Sequence, residues 1–162
     1  MHDKLTNGRG YKMLTVIDEY TREALCIAVR SKMDANDVLD VLFDLILKRG
    51  KPKFIRSDNG PEFIAKHLQT WLRKVGIEPI QIYPGSPWEN GYNERFNGTL
   101  RNEVLNAEWF YTVHQAQTAI NVWLRQYNHI RPHHGLNMRP PVPETLIEKS
   151  VYYFTYRSYN IF

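Results

Sequence analysis

The spacing of apolar positions divides this chain into short strands and amphipathic helices. Tyr11 to Ile17 and Ala24 to Arg30 are runs rich in Leu, Ile and Val, separated by a polar turn at Asp18 to Glu23. Such runs bounded by turn residues read as strands, and this pair reads as a hairpin. From Asp37 to Lys48 the period changes: Val38, Leu39, Leu42, Leu45 and Ile46 recur at helical spacing, with Asp34 or Asn36 as cap and Gly50 as stop. Lys53 to Ser57 follows Pro52 as a short buried strand. Pro61 to Val75 reads as a second helix, with Phe63, Leu68, Trp71, Leu72 and Val75 facing inward, and Gly76 ends it before a strand from Ile77 to Tyr83.

Tyr83-Pro84-Gly85-Ser86-Pro87 is a cluster of breakers and predicts a loop. The next helix starts at Ser86-Pro87-Trp88-Glu89, which matches a capping box with proline at the first helical position, or one turn later. Within it Tyr92, Phe96, Leu100 and Val104 recur every four residues and predict a buried stripe. A further helix spans Val113 to Tyr127. Arg139 to Pro143 is extended by its prolines, and Pro143 to Lys149 reads as a last short helix. Tyr152, Tyr153, Phe154, Tyr156, Tyr159 and Phe162 crowd the tail, which either docks on the domain, stacks on bases or meets a second protomer.

Two acids stand out against this pattern. Asp58 closes the strand in Ser57-Asp58-Asn59-Gly60, at the carboxyl end where open α/β sheets place ligands. Thirty-five residues separate it from Glu94, which sits in Asn90-Gly91-Tyr92-Asn93-Glu94-Arg95-Phe96-Asn97. Carboxylates so carried suit phosphodiester chemistry. Attack by water or a 3′-hydroxyl needs an activated nucleophile and a stabilised leaving oxygen, and two divalent ions roughly 3.5–4 Å apart supply both. Mg²⁺ takes oxygen ligands and keeps several waters, so a few carboxylates are enough. Glu89 is a rival to Glu94 that already has a structural explanation in the capping box.

The run Asp58-Asn59-Gly60-Pro61-Glu62-Phe63, the gap, and Asn90 to Arg101 together resemble the integrase core of bacterial insertion-sequence transposases of the IS-three group. Tyr127-Asn128-His129-Ile130-Arg131-Pro132-His133 and Arg139-Pro140-Pro141-Val142-Pro143-Glu144 resemble that group's closing segment. The resemblance implies an α/β, RNase-H-like mixed β-sheet flanked by helices in the order β-β-α-β-α-β-α, with a clipped first strand. It implies a catalytic core over residues 1–130 and a C-terminal extension packed on it over 131–162. It further implies metal-dependent DNA strand cleavage and strand transfer, with Asp58 and Glu94 as catalytic ligands of Mg²⁺ or Mn²⁺. The partners would be DNA, at the element's ends and the target, and further copies of the chain in the active complex.

One member of the pattern departs from the family. The group's first catalytic Asp lies in a Trp-x-x-Asp-Phe segment that, aligned here, would fall just before Met1, so weak activity is expected from the chain as it stands. Asp3 and Asp18 are the possible substitutes, although Asp18 also fits a turn former at a strand end. The alternative function is a non-catalytic transposase fragment that only binds DNA or partner subunits. Around the acids, Asn97 and Arg101 share the helix face of Glu94 and are candidates to hold a phosphate, since arginine forks match phosphate oxygens. Asn59 is a candidate for the Asp58 loop or DNA, and Arg131 for a phosphate contact. Gly60 is read as a positive-φ turn residue, and Glu62 as a structural acid that favours a helix N-terminus.

Composition changes this picture little. A chain of 162 residues, 43% hydrophobic, suffices for one domain with a real core. Net charge is +4 with a pI near 9.2, which allows contact with a polyanion without requiring it. The single cysteine, Cys26, lies on an apolar strand and reads as core; it permits no internal disulfide and suits a reducing cytoplasm. No apolar run approaches a membrane span, and no signal-peptide core opens the chain, so a membrane partner is not expected. His129, His133 and His134 lack the cysteines of a zinc finger and read as a polar turn.

Overall fold

The computed structural model describes residues 1–82 and 91–142. Its strands are β1 (His2–Lys4), β2 (Gly10–Ile17), β3 (Ala24–Arg30), β4 (Phe54–Ser57) and β5 (Glu78–Gln81). The helices are α1 (Ala35–Arg49), α2 (Pro61–Ile64), α3 (Lys66–Lys74), α4 (Gly91–Leu100), which runs on into a π turn at Arg101–Leu105, and α5 (Val113–His129). β1, β2 and β3 form an antiparallel sheet in that order, and β4 pairs with β5 in parallel.

The hairpin forms where the alternation places it. Lys12 faces Arg30 and Val16 faces Cys26, with an irregularity between Val16 and Ile17. The turn is closed by Asp18, whose buried carboxylate accepts the N–H groups of Tyr20 at 2.8 Å and Thr21 at 3.3 Å. Because successive strand side chains point to opposite faces, β2 and β3 feed two cores. Tyr11, Met13, Ile27 and Val29 pack with Phe96, Leu100, Ile120 and Trp123 of α4 and α5. Leu14 and Ala28 pack on the other face with Val38 and Leu42 of α1 and with Leu68 and Leu72 of α3. Helices therefore cover both faces.

Three elements differ from the sequence expectation. The strands make two sheets instead of one mixed sheet, because β1 pairs with β2 over only three residues and, among the described residues, β4 is paired only with β5. β4 is consequently half-buried. The helix expected from Pro61 to Val75 is broken at Ala65, which is extended at φ −55° and ψ 125°. Phe63 and Leu68 lie about 140° apart on an unbroken helix, and the break turns both toward the same core. The strand end at Tyr83, Glu89, Asn90, the last short helix and the tyrosine-rich tail lie outside the described residues.

The remaining elements follow their local signals. Asp34 caps α1 in a reciprocal box with Asp37, and Gly50 ends it at φ 89°. Thr112 caps α5 by accepting the Gln115 N–H at 3.1 Å. On the open side of β3, α5 supplies side chains in place of a neighbouring strand. Gln117 accepts the Val29 N–H and donates to the Ile27 carbonyl, both at 2.8 Å, while Asn128 accepts the Ala24 N–H and donates to the Ala24 carbonyl, both at 2.9 Å. Covering an edge in this way blocks unwanted strand pairing. Removing a buried polar partner leaves its counterparts unsatisfied at about 1–3 kcal/mol each. Asn128→Ala is expected to lower stability by about 3 kcal/mol in chemical denaturation; a loss below about 1 kcal/mol would mean that the edge finds other partners.

Beyond α5 the chain is held by a polar cluster. Glu103 accepts from the Arg131 guanidinium and from the Trp123 ring N–H at 2.8 Å, and His133 stands edge-on to Tyr127 at 4.7 Å. Burial pushes the Glu103 carboxyl up, but the bonds from Arg131 and Trp123 outweigh it and hold the group below its ordinary value of 4.5. Burial lowers the His133 imidazole below 6.5. In both cases the unfolded state binds protons more readily, so their stabilisation is present above the ordinary values and is lost as pH falls through the depressed folded ones. Hydrogen exchange of residues 131–142 should therefore speed up, after correction for intrinsic rates, from pH 7 to pH 4. Glu103→Gln should flatten the part of that change that lies below 4.5.

Candidate functional site

Asp58 stands where β4 leaves its sheet, at the start of the loop that enters α2. A cavity of about 420 Å³ opens there between the two sheets, lined by Thr15 and Ile17 of β2, by Ser57, Asp58 and Glu62, and by Asn93 and Asn97 of α4. The loop is held locally. Asp58 Oδ1 accepts the Gly60 N–H at 3.0 Å, and Asn59 Nδ2 donates to the Ile82 carbonyl at 3.1 Å, which ties the loop to the chain just beyond β5. Gly60 itself is at φ −58°, not the positive φ expected of it. A side chain there would be crowded instead: a Cβ would lie 3.0 Å from Asp58 Oδ1 and 3.3 Å from Glu62 Oε2, so the two carboxylates would have to shift.

α4 is seated by its apolar residues. Phe96 and Leu100 are buried, and Phe96 packs against Trp123 and Tyr127 with ring centroids at 5.6 and 4.9 Å. This orientation turns Asn93 and Asn97 toward β2. Thr15 Oγ1 donates to Asn93 Oδ1 at 3.1 Å. Asn97 Oδ1 is buried and has no hydrogen-bond partner. Tyr92, expected in the buried stripe, is instead exposed and lies under the Arg22 guanidinium at 3.4 Å from its ring centroid, because the first turn of α4 extends past the core.

The residues singled out in the sequence are thus partly assembled. Asp58 and Asn97 share the cavity. Glu94 is exposed and is not among the residues lining it; it is the surface neighbour of Asn97, three residues away on one helix. Arg101 donates to the His2 carbonyl at 2.9 Å and pairs with Asp3 at 3.6 Å, so it fastens β1 to the π turn. Asp3 is engaged by the same contact, and Asp18 by its turn. Asn59 is committed to Ile82, and Arg131 to Glu103. Asn93 and Thr15 were not anticipated: their only signal is that Asn93 adjoins Glu94 and that Thr15 is a polar residue in an apolar strand. Glu62 was read as a helix-terminal acid, yet it also lines the cavity.

Burial lowers the pKa of the Met1 ammonium, and the strongest opposing influences are the carboxylates of Asp58 and then Glu62. Among the described residues no three His, Cys, Asp or Glu side chains gather in one cluster. The oxygen donors that line the cavity include the carboxylates of Asp58, Glu62 and Glu19 and the unpartnered amide oxygen of Asn97. Such hard oxygen donors suit Mg²⁺ or Mn²⁺ and leave room for bound waters.

Comparison with known proteins agrees with this geometry. Two family models, both described as integrase core domain, match residues 1–87 and 75–141. An insertion element IS476 protein of Xanthomonas euvesicatoria, 39.2 kDa, is 44% identical over 86% of this chain and 40% of its own length. The transposase for insertion sequence element IS904 of Lactococcus lactis is 27% identical over 77% of this chain and 51% of its own length. The chain therefore spans about half, or less, of these relatives. The HTLV-2 integrase catalytic core domain, solved in complex with magnesium in a trimeric form, superposes with a TM-score of 0.67 at 22% identity, covering 86% of this chain and 87% of that one. That likeness gives the fold, the RNase-H-like fold of retroviral integrase cores. On the matched models and the insertion-element relatives, the chain belongs to the integrase core domain family, in its insertion-element branch.

Proposed function

We propose that this chain is the catalytic core of a DNA transposase, and that a DNA phosphodiester is cut and joined at the cavity between the two sheets. Asp58 and Glu94 serve as ligands of Mg²⁺ or Mn²⁺. The observation that carries this reading is the meeting, in one cavity, of Asp58 from the end of β4 with the unpartnered amide oxygen of Asn97 from α4. A bound divalent ion would activate the attacking hydroxyl and relieve charge on the leaving oxygen. The chain's residues do the positioning. The Gly60 N–H fixes one oxygen of Asp58 and leaves the other for the site. Asn93, anchored on Thr15, holds α4 at the cavity, and Asn97 turns its amide toward the bound group. Glu94, exposed on α4 and outside the cavity lining, is assigned as the second ligand on its motif.

The DNA partners are the element's ends and its target, drawn by a net charge of +4. The magnesium-bound, trimeric HTLV-2 core supports both the metal and an assembly of several copies. The C-terminal extension assigned to 131–162 begins at the Arg131–Glu103 anchor, and of it residues 131–142 are described. The working compartment is the cytoplasm; no described helix is long and apolar enough to cross a membrane. A second reading, a folded core that binds DNA or partner subunits without turnover, is favoured by one observation: Glu94 lies outside the cavity lining while Asp3 and Asp18 are engaged elsewhere.

The test is nicking of duplex DNA by this chain in Mn²⁺, with DNA binding followed in parallel by fluorescence anisotropy. Removing a group that stabilises the transition state typically costs about 10²–10³ in rate. Asp58→Asn and Glu94→Gln should each slow nicking by at least about 100-fold while binding persists. Binding with no nicking by the unaltered chain would select the second reading, and an unchanged rate in Glu94→Gln would remove Glu94 from the site.

A further inference from the structure

The geometry points to Glu62 as a further metal-binding carboxylate of this site, beside Asp58 and ahead of Glu94. The inference rests on the reading of Asp58 as a ligand and deepens it. Glu62 sits in the first turn of α2, where an acid needs no other explanation than the helix end. Its side chain, however, turns back across Gly60. The point where a Gly60 Cβ would stand is 3.0 Å from Asp58 Oδ1 and 3.3 Å from both Cδ and Oε2 of Glu62. The two carboxylates therefore flank one glycine on one side, and their oxygens can be no further apart than those distances allow.

Both carboxylates line the same cavity, and Glu62 is half-buried there. Two like charges beside one glycine repel, and both attract positive charge, as their pull on the Met1 ammonium shows. Neither is paired with Lys or Arg in the described ion pairs. A separate observation indicates what the pair faces: the buried Oδ1 of Asn97, across the cavity on α4, has no donor. Two carboxylates and an amide oxygen make an all-oxygen donor set for one Mg²⁺ or Mn²⁺, with waters completing the octahedron. Gly60 is then the residue that lets the pair close on one ion, which accounts for a glycine at an ordinary φ of −58°.

The experiment is Mn²⁺ titration of this chain by calorimetry and by electron paramagnetic resonance, neither of which requires turnover. Asp58→Asn, Glu62→Gln and Gly60→Ala are compared with the unaltered chain, and their thermal melting is recorded without metal. Glu62→Gln should weaken Mn²⁺ binding about tenfold or more with little change in metal-free melting, since a role at the helix end alone would move melting and not affinity. Gly60→Ala should also weaken binding, by forcing the two carboxylates apart. It serves as the test if Glu62→Gln fails to fold. Unchanged affinity in Glu62→Gln, with binding lost in Asp58→Asn, overturns this inference and leaves the reading of Asp58 intact. If the unaltered chain binds no Mn²⁺ at millimolar concentration, both are overturned.

Discussion

The candidate site depends on how α4 is seated. Phe96 is 2% exposed and contacts the rings of Trp123 and Tyr127, so it locks α4 against α5 over the β2–β3 hairpin. Truncating a buried aromatic of this kind costs about 3–5 kcal/mol, a large part of the roughly 5–15 kcal/mol that holds a domain together. With Phe96 inward, helical geometry leaves no freedom to its neighbours: Asn93 and Asn97 must turn toward β2, and Glu94 must lie to one side of them. The Thr15–Asn93 hydrogen bond then fixes the height of α4 along the strand. Packing far from the chemistry sets which oxygen atoms face the cavity.

The second determinant is charge held without a full complement of partners. Asp58 is steadied by one backbone N–H, Glu62 leans toward it across Gly60, and Asn97 presents a bare amide oxygen. Elsewhere in the molecule comparable groups are satisfied: Glu23 by Arg49, Glu103 by Arg131 and Trp123, Asp3 by Arg101, and Asp18 by its own turn. Buried polar groups are ordinarily hydrogen-bonded. Among the described residues the buried side-chain atoms without a partner are Arg22 Nη1, His133 Nε2 and Asn97 Oδ1, and of these the Asn97 oxygen alone lines the cavity.

Much of this was legible in the sequence, for physical reasons that also mark where it stopped. The hairpin, α1 with its Asp34 cap, and α5 were readable because apolar period and end signals coincide within each. The break at Ala65 was not, since Ala is a good helix former and only the five-residue step from Phe63 to Leu68 hints at it. Asp58 was readable as a strand-end acid in a motif. The intramolecular partners of Asn59, Arg101 and Arg131 were not readable, because Ile82, Asp3 and Glu103 lie far away in sequence. Spacing along one helix cannot reveal a contact made through another element, and for the same reason it concealed Thr15, whose partner is Asn93.

The most direct measurement is the anomalous diffraction of crystals of this chain soaked in Mn²⁺. The account requires a manganese peak in the cavity between the sheets, within coordination distance of Asp58 and on the side that Glu62 and Asn97 face. A peak at Glu94 that leaves Asp58 uncoordinated, or an ordered crystal with no manganese in the cavity at saturating concentration, would contradict it.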